Sequence, residues 1–249
     1  MSPPGLVVIT GASSGFGAAT ALRFARLGHP LYLGARRITR LMEVARRCLE
    51  AGAPKAEART LDVRSKESIE AFCAEAGTPQ ILFNNAGLAL GRDALDRMKD
   101  EDLLGMVETN VIGLVRVTRE LLPRMIAAKR GHVINLGSYA ARGVYEGGAV
   151  YAATKHSVRV ISETLRLELS GTNIRVTQID PGLAETEFSI VRLGDEKKAK
   201  GVYQGMQPLT AEDIADAVVW AATRPPHVNI AELVITPTAQ ASLTKVHRS

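Results

Sequence analysis

The stretch TGASSGFG, residues Thr10–Gly17, places three glycines between a short apolar run and an amphipathic one. The run Leu6–Thr10 has the length of a buried strand, and the run Ala18–Leu27 has the spacing of a helix. Glycines in such a turn allow a tight bend, and the helix start offers free N–H groups to a pyrophosphate. The spacing is G-x-x-x-G-x-G rather than G-x-G-x-x-G, but its place between strand and helix predicts a dinucleotide-binding unit.

The alternation of strand and helix continues to the end of the chain. Further strands are predicted at Leu31–Ala35, Glu57–Leu61, Ile81–Asn84, His132–Gly137, Arg175–Ile179 and Glu232–Thr236. Further helices are predicted at Thr39–Glu50, Ser65–Ala76, Leu103–Ala128, Val150–Ser170 and Ala211–Thr223. Repeated βαβ units predict an α/β fold, a Rossmann-type doubly wound parallel sheet of about seven strands with helices on both faces. No break in composition divides residues 1–249, so a single domain is expected.

Composition restricts the class of protein. The chain is 46% hydrophobic and 23% charged, which is typical of a soluble globular domain and leaves enough apolar residues for a core without disulfides. A net charge of +5 is compatible with nucleic acid binding, but the basic residues alternate with acidic ones, so no nucleic acid partner is expected. Cys48 and Cys73 are far apart and the histidines are scattered, so neither a disulfide nor a metal site is predicted. The start MSPPGLVVIT has no basic leader and no run is long enough to span a membrane, so a cytoplasmic protein is expected.

One connection is unusually long. Residues 181–208 follow a predicted strand, so they start at the carboxyl edge of the sheet, where open α/β folds bind ligands. They are rich in charge, and long segments at this edge often close over a substrate. We therefore predict a lid, with a solvated surface excursion as the alternative.

The end of the second predicted strand indicates which dinucleotide is bound. An acidic residue there would accept from a free ribose 2′-hydroxyl, whereas the chain reads LGARR with Arg36 and Arg37. Two guanidiniums can clamp a 2′-phosphate. Positive charge is unfavourable at a helix start, which makes a pair of merely solvated arginines the weaker interpretation. The cofactor is therefore predicted to be NADP rather than NAD.

Two further strand ends contribute to the predicted cofactor site. Asp62 ends the third strand, where its carboxylate could accept from the adenine amine. The sequence NNAG, residues 84–87, ends the fourth strand, and Gly87 allows the backbone to pass close to the nicotinamide ribose. A turn with asparagine capping is the alternative for this second motif.

The reactive end of the site is predicted from GGAVYAATKHSV, in which Tyr151 precedes Lys155 by four residues, one turn of a helix. A free phenol has a pKa of about 10 and is a poor base near neutral pH. Lowering this pKa by about three units needs about 4 kcal/mol of differential stabilisation of the phenolate, which a nearby ammonium and an oxidised nicotinamide can supply. Tyr151 is therefore predicted to exchange the substrate proton. Such a pair is often only a surface contact. Here Ser138 ends the fifth strand at the same sheet edge as the predicted dinucleotide site, so the pair is predicted to be catalytic.

Together TGASSGFG, NNAG, Asn110, Ser138 and Tyr151-x-x-x-Lys155 resemble the short-chain dehydrogenase/reductase family over nearly the whole chain. The segments NNAGLALG, DPGLAETEFSIVR, YQGMQPLTAEDIADAV and RPPHVNIAELVITPTAQAS are similar to its NADP-dependent 3-hydroxy acid dehydrogenases, which act on serine and allo-threonine. The resemblance implies that Ser138 bonds the substrate oxygen and that Asn110 holds a water linked to Lys155. By itself Asn110 reads equally as a structural residue, since asparagine is unfavourable inside a helix.

The resemblance also implies the remaining site residues, a homotetramer and a small-molecule substrate. The predicted catalytic residues are Asn110, Ser138, Tyr151 and Lys155. The predicted cofactor residues are Gly11, Ser13, Ser14, Gly15, Phe16, Gly17, Arg36, Arg37, Asp62, Val63, Asn85, Ala86, Gly87, Tyr151, Lys155, Pro181, Gly182 and Thr186.

The substrate is left open by the sequence. The segment Ser138–Tyr151 departs from the family pattern with Tyr139, Arg142, Tyr145 and Glu146. Arg142 and Arg192 are the candidates for binding a substrate carboxylate. The alternatives to a 3-hydroxy acid dehydrogenase are a reductase of other ketones, aldehydes or 3-oxoacyl thioesters, and a non-catalytic NADPH sensor, which has no need of a complete Ser–Tyr–Lys set.

Overall fold

The centre of the molecule is a parallel sheet, seen in a computed structural model that describes residues 4–249. Within these residues its strands are β1 Val7–Thr10, β2 Leu31–Ala35, β3 Ala56–Thr60, β4 Ile81–Asn84, β5 Gly131–Leu136, β6 Ile174–Pro181 and β7 Glu232–Ile235. They lie in the order β3-β2-β1-β4-β5-β6-β7, and every neighbouring pair is parallel. The predicted doubly wound sheet is confirmed. Residues 1–3, the first part of the start MSPPGLVVIT on which the expectation of no leader rests, lie outside the described residues.

Helices cover both faces of the sheet. They are α1 Gly15–Arg26, α2 Ile38–Glu50, α3 Lys66–Glu75, α4 Asp100–Val107, α5 Leu114–Ala127, α6 Ala149–Glu168, α7 Glu187–Leu193, α8 Glu196–Gly201 and α9 Ala211–Ala222. One apolar cluster joins α1, α2 and α9 to one face, and a second joins α3 and α5 to the other. Because both faces are covered, strands such as β1 and β4 are buried along their whole length. This explains why the strands appear in the sequence as short continuous apolar runs.

The order of the strands decides where a ligand can bind. From β1 the chain passes to β2 and β3 on one side, and then returns to β4 on the other side. The loops after β1 and β4 therefore diverge at the carboxyl edge and leave a crevice between them. The glycine loop and the NNAG turn lie at this crevice.

The prediction of one continuous helix over Leu103–Ala128 is wrong. A π-helical segment, Glu108–Gly113, separates α4 from α5. Asn110 lies within that segment, is 1% exposed, and bonds the backbone of Leu88 with its carboxamide. A π-helical turn holds more residues than an α-helical turn and re-aims the side chains it carries, which is why such segments recur at functional sites.

Residues 181–208 are more structured than the sequence suggests. The first residue, Pro181, is the last residue of β6, and the helices α7 and α8 follow. The side chain of Thr186 caps α7 by accepting from the Phe188 amide. The Tyr203 hydroxyl, behind α8, is buried and donates to the Ala184 carbonyl at 2.7 Å. The segment is therefore packed on itself, and its role as a lid stays a prediction.

Two further observations concern the described part of the chain. None of its helices combines the length and the apolar character needed to cross a bilayer. Within residues 4–249 no three His, Cys, Asp or Glu side chains are grouped as metal ligands, and Cys48 and Cys73 are both buried free thiols.

Candidate active site

The carboxyl edge of the sheet carries a cleft of about 490 Å³. Ser138, Tyr151 and Lys155 line it, whereas Asn110 lies behind the wall. The predicted cofactor residues that line it are Gly11, Ser13, Ser14, Gly15, Phe16, Arg36, Arg37, Asp62, Val63, Asn85, Ala86, Gly87, Pro181, Gly182 and Thr186. Residues from six strand ends therefore meet at one place, as expected where parallel strands share an edge.

The glycine loop after β1 is held in a conformation that needs glycine. Gly11 has a φ of 66°, and a Cβ added to it would lie 2.8 Å from the Ala86 Cα. Asn85 anchors the loop by donating from Nδ2 to the carbonyls of Thr10 and Gly11 at 2.9 and 3.0 Å. Asn85 thus braces the loop from the neighbouring β4 end rather than capping its own turn.

Gly17 differs from the other predicted cofactor residues because it does not line the cleft. A Cβ there would lie 2.6 Å from Asn85 Nδ2 and 2.7 Å from the Gly11 carbonyl oxygen. Gly17 therefore allows α1 to pack closely on the loop, which places the helix start at the cleft.

The N-terminus of α1 is suited to an anion. Its N-cap residue, Ser14, makes no capping hydrogen bond, and the first turn has no acidic side chain. The Ser14 hydroxyl instead accepts from Arg37 Nη2 at 2.6 Å. The first-turn amides are therefore not occupied by the side chain that would normally cap them, and the helix dipole adds positive potential there.

The two arginines after β2 have different surroundings. Arg37 donates from Nη1 to Glu187 of α7 at 2.8 Å, which lowers the pKa of the Glu187 carboxyl, and from Nε to Ser13 at 3.3 Å. Arg36 is exposed, lines the cleft, and forms no ion pair with any residue of the described chain. Arg36 is therefore the guanidinium available to a phosphate, and Arg37 already bridges two walls of the cleft.

Tyr151 and Ser138 face each other across the reactive part of the cleft. Tyr151 lies in the first turn of α6 and is 9% exposed, while Ser138 follows β5 and caps a 3₁₀ turn through the Ala140 amide. Burial raises the pKa of Tyr151 to about 12, and a hydrogen bond with Ser138 opposes that rise. Desolvation of the phenolate therefore outweighs the Arg192 charge in the protein without cofactor. The lowered pKa expected with an oxidised nicotinamide in the cleft stays a prediction.

Lys155 is buried beside the tyrosine. Its ammonium is 5.9 Å from the centre of the Tyr151 ring and donates to the Leu136 carbonyl at 2.8 Å. The residue is 4% exposed, and burial lowers its pKa to about 8. The chain therefore keeps at this point an ammonium that is costly to bury, which is typical of a functional residue.

Asn110 is fixed from both ends of its carboxamide. Oδ1 accepts from the Leu88 amide at 2.8 Å, and Nδ2 donates to the Leu88 carbonyl at 2.8 Å and to Thr154 Oγ1 at 3.1 Å. A Cβ on Gly87 would lie 3.3 Å from Asn110 Oδ1 and 3.5 Å from Lys155 Nζ. Asn110 and Lys155 are thus neighbours across Gly87, and Asn110 ties the NNAG turn to α6.

Of the two arginines that are candidates for binding a substrate carboxylate, only one lies at the cleft. Arg142 does not line the cleft; its guanidinium pairs with Asp180 and Glu232. Arg192 of α7 lines the cleft, with its guanidinium 5.5 Å from the ring centres of both Tyr145 and Tyr151. Because its charge is already neutralised, Arg142 is ruled out as the substrate-binding residue.

Some residues of the cleft are not predicted from the sequence. Phe188 packs at 5.7 Å from the Tyr151 ring, and Gln240 and Leu243 come from the end of the chain. Gln240 accepts from the Leu183 amide at 2.8 Å and so joins the C-terminal segment to the residues after β6. No local pattern signals these positions, because the tail returns to the cleft only through tertiary packing.

A fold with a glycine loop at its switch point and a Ser–Tyr–Lys set in the same cleft defines a nicotinamide-dependent oxidoreductase. A model of the family described as short chain dehydrogenase matches residues 5–196. The chain belongs to the short-chain dehydrogenase family.

Several relatives are similar along almost their whole length. NADP-dependent 3-hydroxy acid dehydrogenase YdfG of Salmonella typhi is 44% identical over 251 residues, which cover 98% of this chain and 100% of that protein. Sulfoacetaldehyde reductase of Chromohalobacter salexigens is 44% identical over 243 residues, 94% of each chain. A solved structure of serine dehydrogenase in its closed form, complexed with NADP+, is 43% identical and has a TM-score of 0.91. The aligned region covers 98% of this chain and 100% of the serine dehydrogenase chain.

Proposed function

We propose that the protein is an NADP-dependent oxidoreductase that transfers hydride reversibly between NADP(H) and the 3-hydroxyl or carbonyl group of small 3-hydroxy acids such as serine or allo-threonine. The observation that carries the proposal is the presence of Ser138, Tyr151 and Lys155 in the same cleft as the start of α1, which has no side-chain cap, and Arg36, which has no acidic partner among residues 4–249. The relatives named for 3-hydroxy acids and for serine support this substrate class.

The hydrogen-bond donors that line the cleft suit the phosphate groups of NADP. The glycine loop leaves room for a close approach, the first-turn amides of α1 suit a pyrophosphate, and Arg36 suits a 2′-phosphate. When bound, NADP supplies the hydride acceptor for oxidation and, in its reduced form, the hydride donor for reduction. The protein's own residues must hold the substrate oxygen and move its proton.

Proton transfer is assigned to Tyr151. In reduction its phenol donates the proton to the carbonyl oxygen, and in oxidation it takes the proton from the hydroxyl. Ser138 is placed to bond the same oxygen, and the Lys155 ammonium favours the phenolate form. Because burial raises the pKa of Tyr151 to about 12, the protein alone presents the phenol as an acid, and its base form requires additional positive charge in the cleft.

Cofactor preference gives a first test. Arg36→Asp is expected to weaken NADPH binding about a hundredfold and NADH binding less than threefold, since only NADPH has the phosphate that the new carboxylate repels. Titration of both reduced cofactors by fluorescence measures this ratio. Arg130→Asp, the same charge change just before β5 at the opposite edge, is the matched control. Equal losses for both cofactors would contradict the assignment of the 2′-phosphate to Arg36.

An anionic group on the substrate is proposed from the surroundings of Arg192. Its guanidinium donates to the carbonyls of Gly91 and Gly147 at 3.2 and 3.4 Å, but among residues 4–249 no carboxylate pairs with it. A positive charge stacked beside the reactive Tyr151 and without an acidic partner suits a carboxylate or a sulfonate. The relative named sulfoacetaldehyde reductase favours an aldehyde with a sulfonate as the second candidate substrate.

A substrate panel tests both the function and Arg192. Absorbance at the reduced-cofactor band is followed with serine, 3-hydroxybutyrate, sulfoacetaldehyde and a neutral ketone of similar size, each with NADP(H) and NAD(H). Arg192→Met is expected to lower kcat/KM for the anionic substrates about thirtyfold, the value of one charged hydrogen bond, and to leave the neutral ketone within about threefold.

Each result of the panel selects one function. Turnover of serine or 3-hydroxybutyrate with NADP supports the proposal, and turnover of neutral or bulky carbonyls alone supports a general carbonyl reductase. Tight NADPH binding without turnover of any substrate would indicate the sensor. An equal loss on anionic and neutral substrates in Arg192→Met would show that Arg192 shapes the cleft rather than binding the anion.

For the assembly we propose a homotetramer in the cytoplasm. In support, the described α5 and α6 and the π-helical segment expose large apolar side chains, including Ile112, Val115, Val160 and Leu167. Exposed apolar surface of this kind suits pairing between helices of two subunits. Light scattering during size-exclusion chromatography tests the proposal, and a monomer mass would refute it.

A further inference from the structure

A buried carboxylate, Asp180, lies directly behind the catalytic serine. Asp180 is the penultimate residue of β6 and has no solvent exposure. Its Oδ1 accepts from the Ser138 backbone amide at 3.0 Å and from Gln178 Nε2 at 2.7 Å. Its Oδ2 accepts from Arg142 Nε at 3.2 Å. The side chain therefore connects the end of β5, where Ser138 begins, to β6.

The fit between this carboxylate and the serine backbone is close. A Cβ added to Gly137 would lie 1.9 Å from Asp180 Oδ1, so any side chain at position 137 would clash with this carboxylate. Only glycine before Ser138 leaves the space that the carboxylate fills. Gly137 and Asp180 are thus matched to each other although 43 positions separate them in the sequence (180 − 137).

The chemistry of the donors requires an acceptor at this point. A backbone N–H, an amide NH₂ and a guanidinium converge on the two oxygens of Asp180. An ionised carboxylate is acceptor-only and satisfies all three, whereas an asparagine would turn an NH₂ group toward one of these donors. Arg142 also pairs with Glu232 of β7, so its guanidinium is held from two sides.

We propose that Asp180 is a positioning residue for the reaction: it fixes the Ser138 backbone, and hence the hydroxyl that faces Tyr151, and places a negative charge behind the Tyr151–Lys155 pair. This inference rests on the proposed oxidoreductase function. Asp180 does not line the cleft, so it acts through Ser138 and through its charge rather than by touching the substrate.

The charge has a consequence that can be measured. The titratable or charged groups around the phenol of Tyr151 come from the elements packed against it: Tyr145 before α6, Lys155 on α6, Arg192 on α7 and Asp180 on β6. Ser138 after β5 adds a neutral hydrogen-bonding hydroxyl. The negative charge of Asp180 raises the pKa of both Tyr151 and Lys155. Removing it therefore lowers both pKa values, because the phenolate is no longer repelled and the ammonium is no longer attracted.

The test is Asp180→Asn, compared with the wild type under conditions in which the wild type turns over. We expect kcat to fall about tenfold and the Kd for NADPH to stay within about threefold. The acidic limb of the kcat/KM profile for oxidation is expected to move to lower pH by about one unit. A merely structural role would not move this limb, so an unchanged limb would overturn the proposal, as would a kcat within twofold of wild type.

Two further variants separate positioning from folding. Glu232→Gln removes a carboxylate from the same guanidinium without touching Ser138, and its kcat is expected to stay within about twofold. Asp180→Asn combined with Arg142→Met removes the charge that the single variant leaves poorly paired, so thermal stability is expected to recover while kcat stays low. Recovery of kcat together with stability would show that Asp180 serves the fold alone. If the wild type itself turned over no substrate, the proposed function would fail instead.

Discussion

Replacing Tyr151 with phenylalanine is expected to lower kcat about a thousandfold in both directions and to leave the NADPH Kd within about twofold. The change removes one oxygen, the atom that exchanges the substrate proton, and general acid–base groups of this kind contribute about 10² to 10⁴ in rate. The aromatic ring remains to pack against Phe188, so the cleft keeps its shape. Single-turnover kinetics at saturating NADPH, together with a binding titration, measure the two quantities.

Tyr145→Phe is the matched control for this variant. Tyr145 also lines the cleft and its ring lies 5.5 Å from the Arg192 guanidinium, but the residue four positions after it is Ala149 rather than a lysine. The same loss of one hydroxyl is expected to change kcat by less than about threefold. Near-normal turnover in Tyr151→Phe, or an equal loss in Tyr145→Phe, would refute the assignment of proton transfer to Tyr151.

Lys155→Met is expected to abolish most turnover and, at the same time, to stabilise the fold. Activity should fall about a hundredfold or more, because no buried cation remains to favour the phenolate. The free energy of unfolding at pH 7 should rise by about 2 kcal/mol. A pKa lowered from 10.5 to about 8 corresponds to a cost of about 3 kcal/mol for the buried ammonium, and the unpaired Leu136 carbonyl offsets about 1 kcal/mol of the gain.

The pH dependence of this effect has a defined sign. Below pH 8 Lys155 is protonated in both the folded and the unfolded protein, so the folded wild type bears the full cost of burying the charge. Between pH 8 and 10.5 the unfolded chain holds a proton that the folded protein has released, so wild-type stability rises with pH. The stability advantage of Lys155→Met is therefore expected to shrink across this window.

Urea denaturation of wild type and variant at pH 7, 8, 9 and 10 measures this difference. Lys66→Met, at an exposed position of α3, is the control and is expected to change stability by less than about 0.5 kcal/mol at each pH. A destabilised Lys155→Met at pH 7, or an advantage that is constant with pH, would contradict the assignment of a costly buried charge to Lys155.

The predicted strands agree with the observed strands because their signal is local. β2 has the predicted bounds, Leu31–Ala35, and β4 has the predicted bounds, Ile81–Asn84. A strand covered on both faces must be apolar throughout, so its length can be read from a run of four or five residues. The glycine turn and the Tyr151–Lys155 spacing are equally short-range, which is why they too could be found without a structure.

The π-helical segment could not be predicted in the same way. One extra residue in a turn hardly changes the apolar periodicity of Leu103–Ala128, so the pattern reads as one helix. What distinguishes Glu108–Gly113 is the pairing of Asn110 with Leu88 and Thr154, which lie on other elements. Such contacts are long-range in sequence and leave no local signature.

By itself the sequence determined the order of strands and helices, the turn that approaches a dinucleotide, and the pairing of a phenol with an ammonium one helical turn away. Each of these depends on residues within a few positions of one another. Only the tertiary structure decided which charges remain available: Arg142 is neutralised by Asp180 and Glu232, whereas Arg192 faces the cleft. It also decided that burial raises the pKa of Tyr151 and that Asp180 stands behind Ser138. Electrostatic energies depend on burial and on distances between residues remote in the chain, and both arise only when the strands and helices pack together.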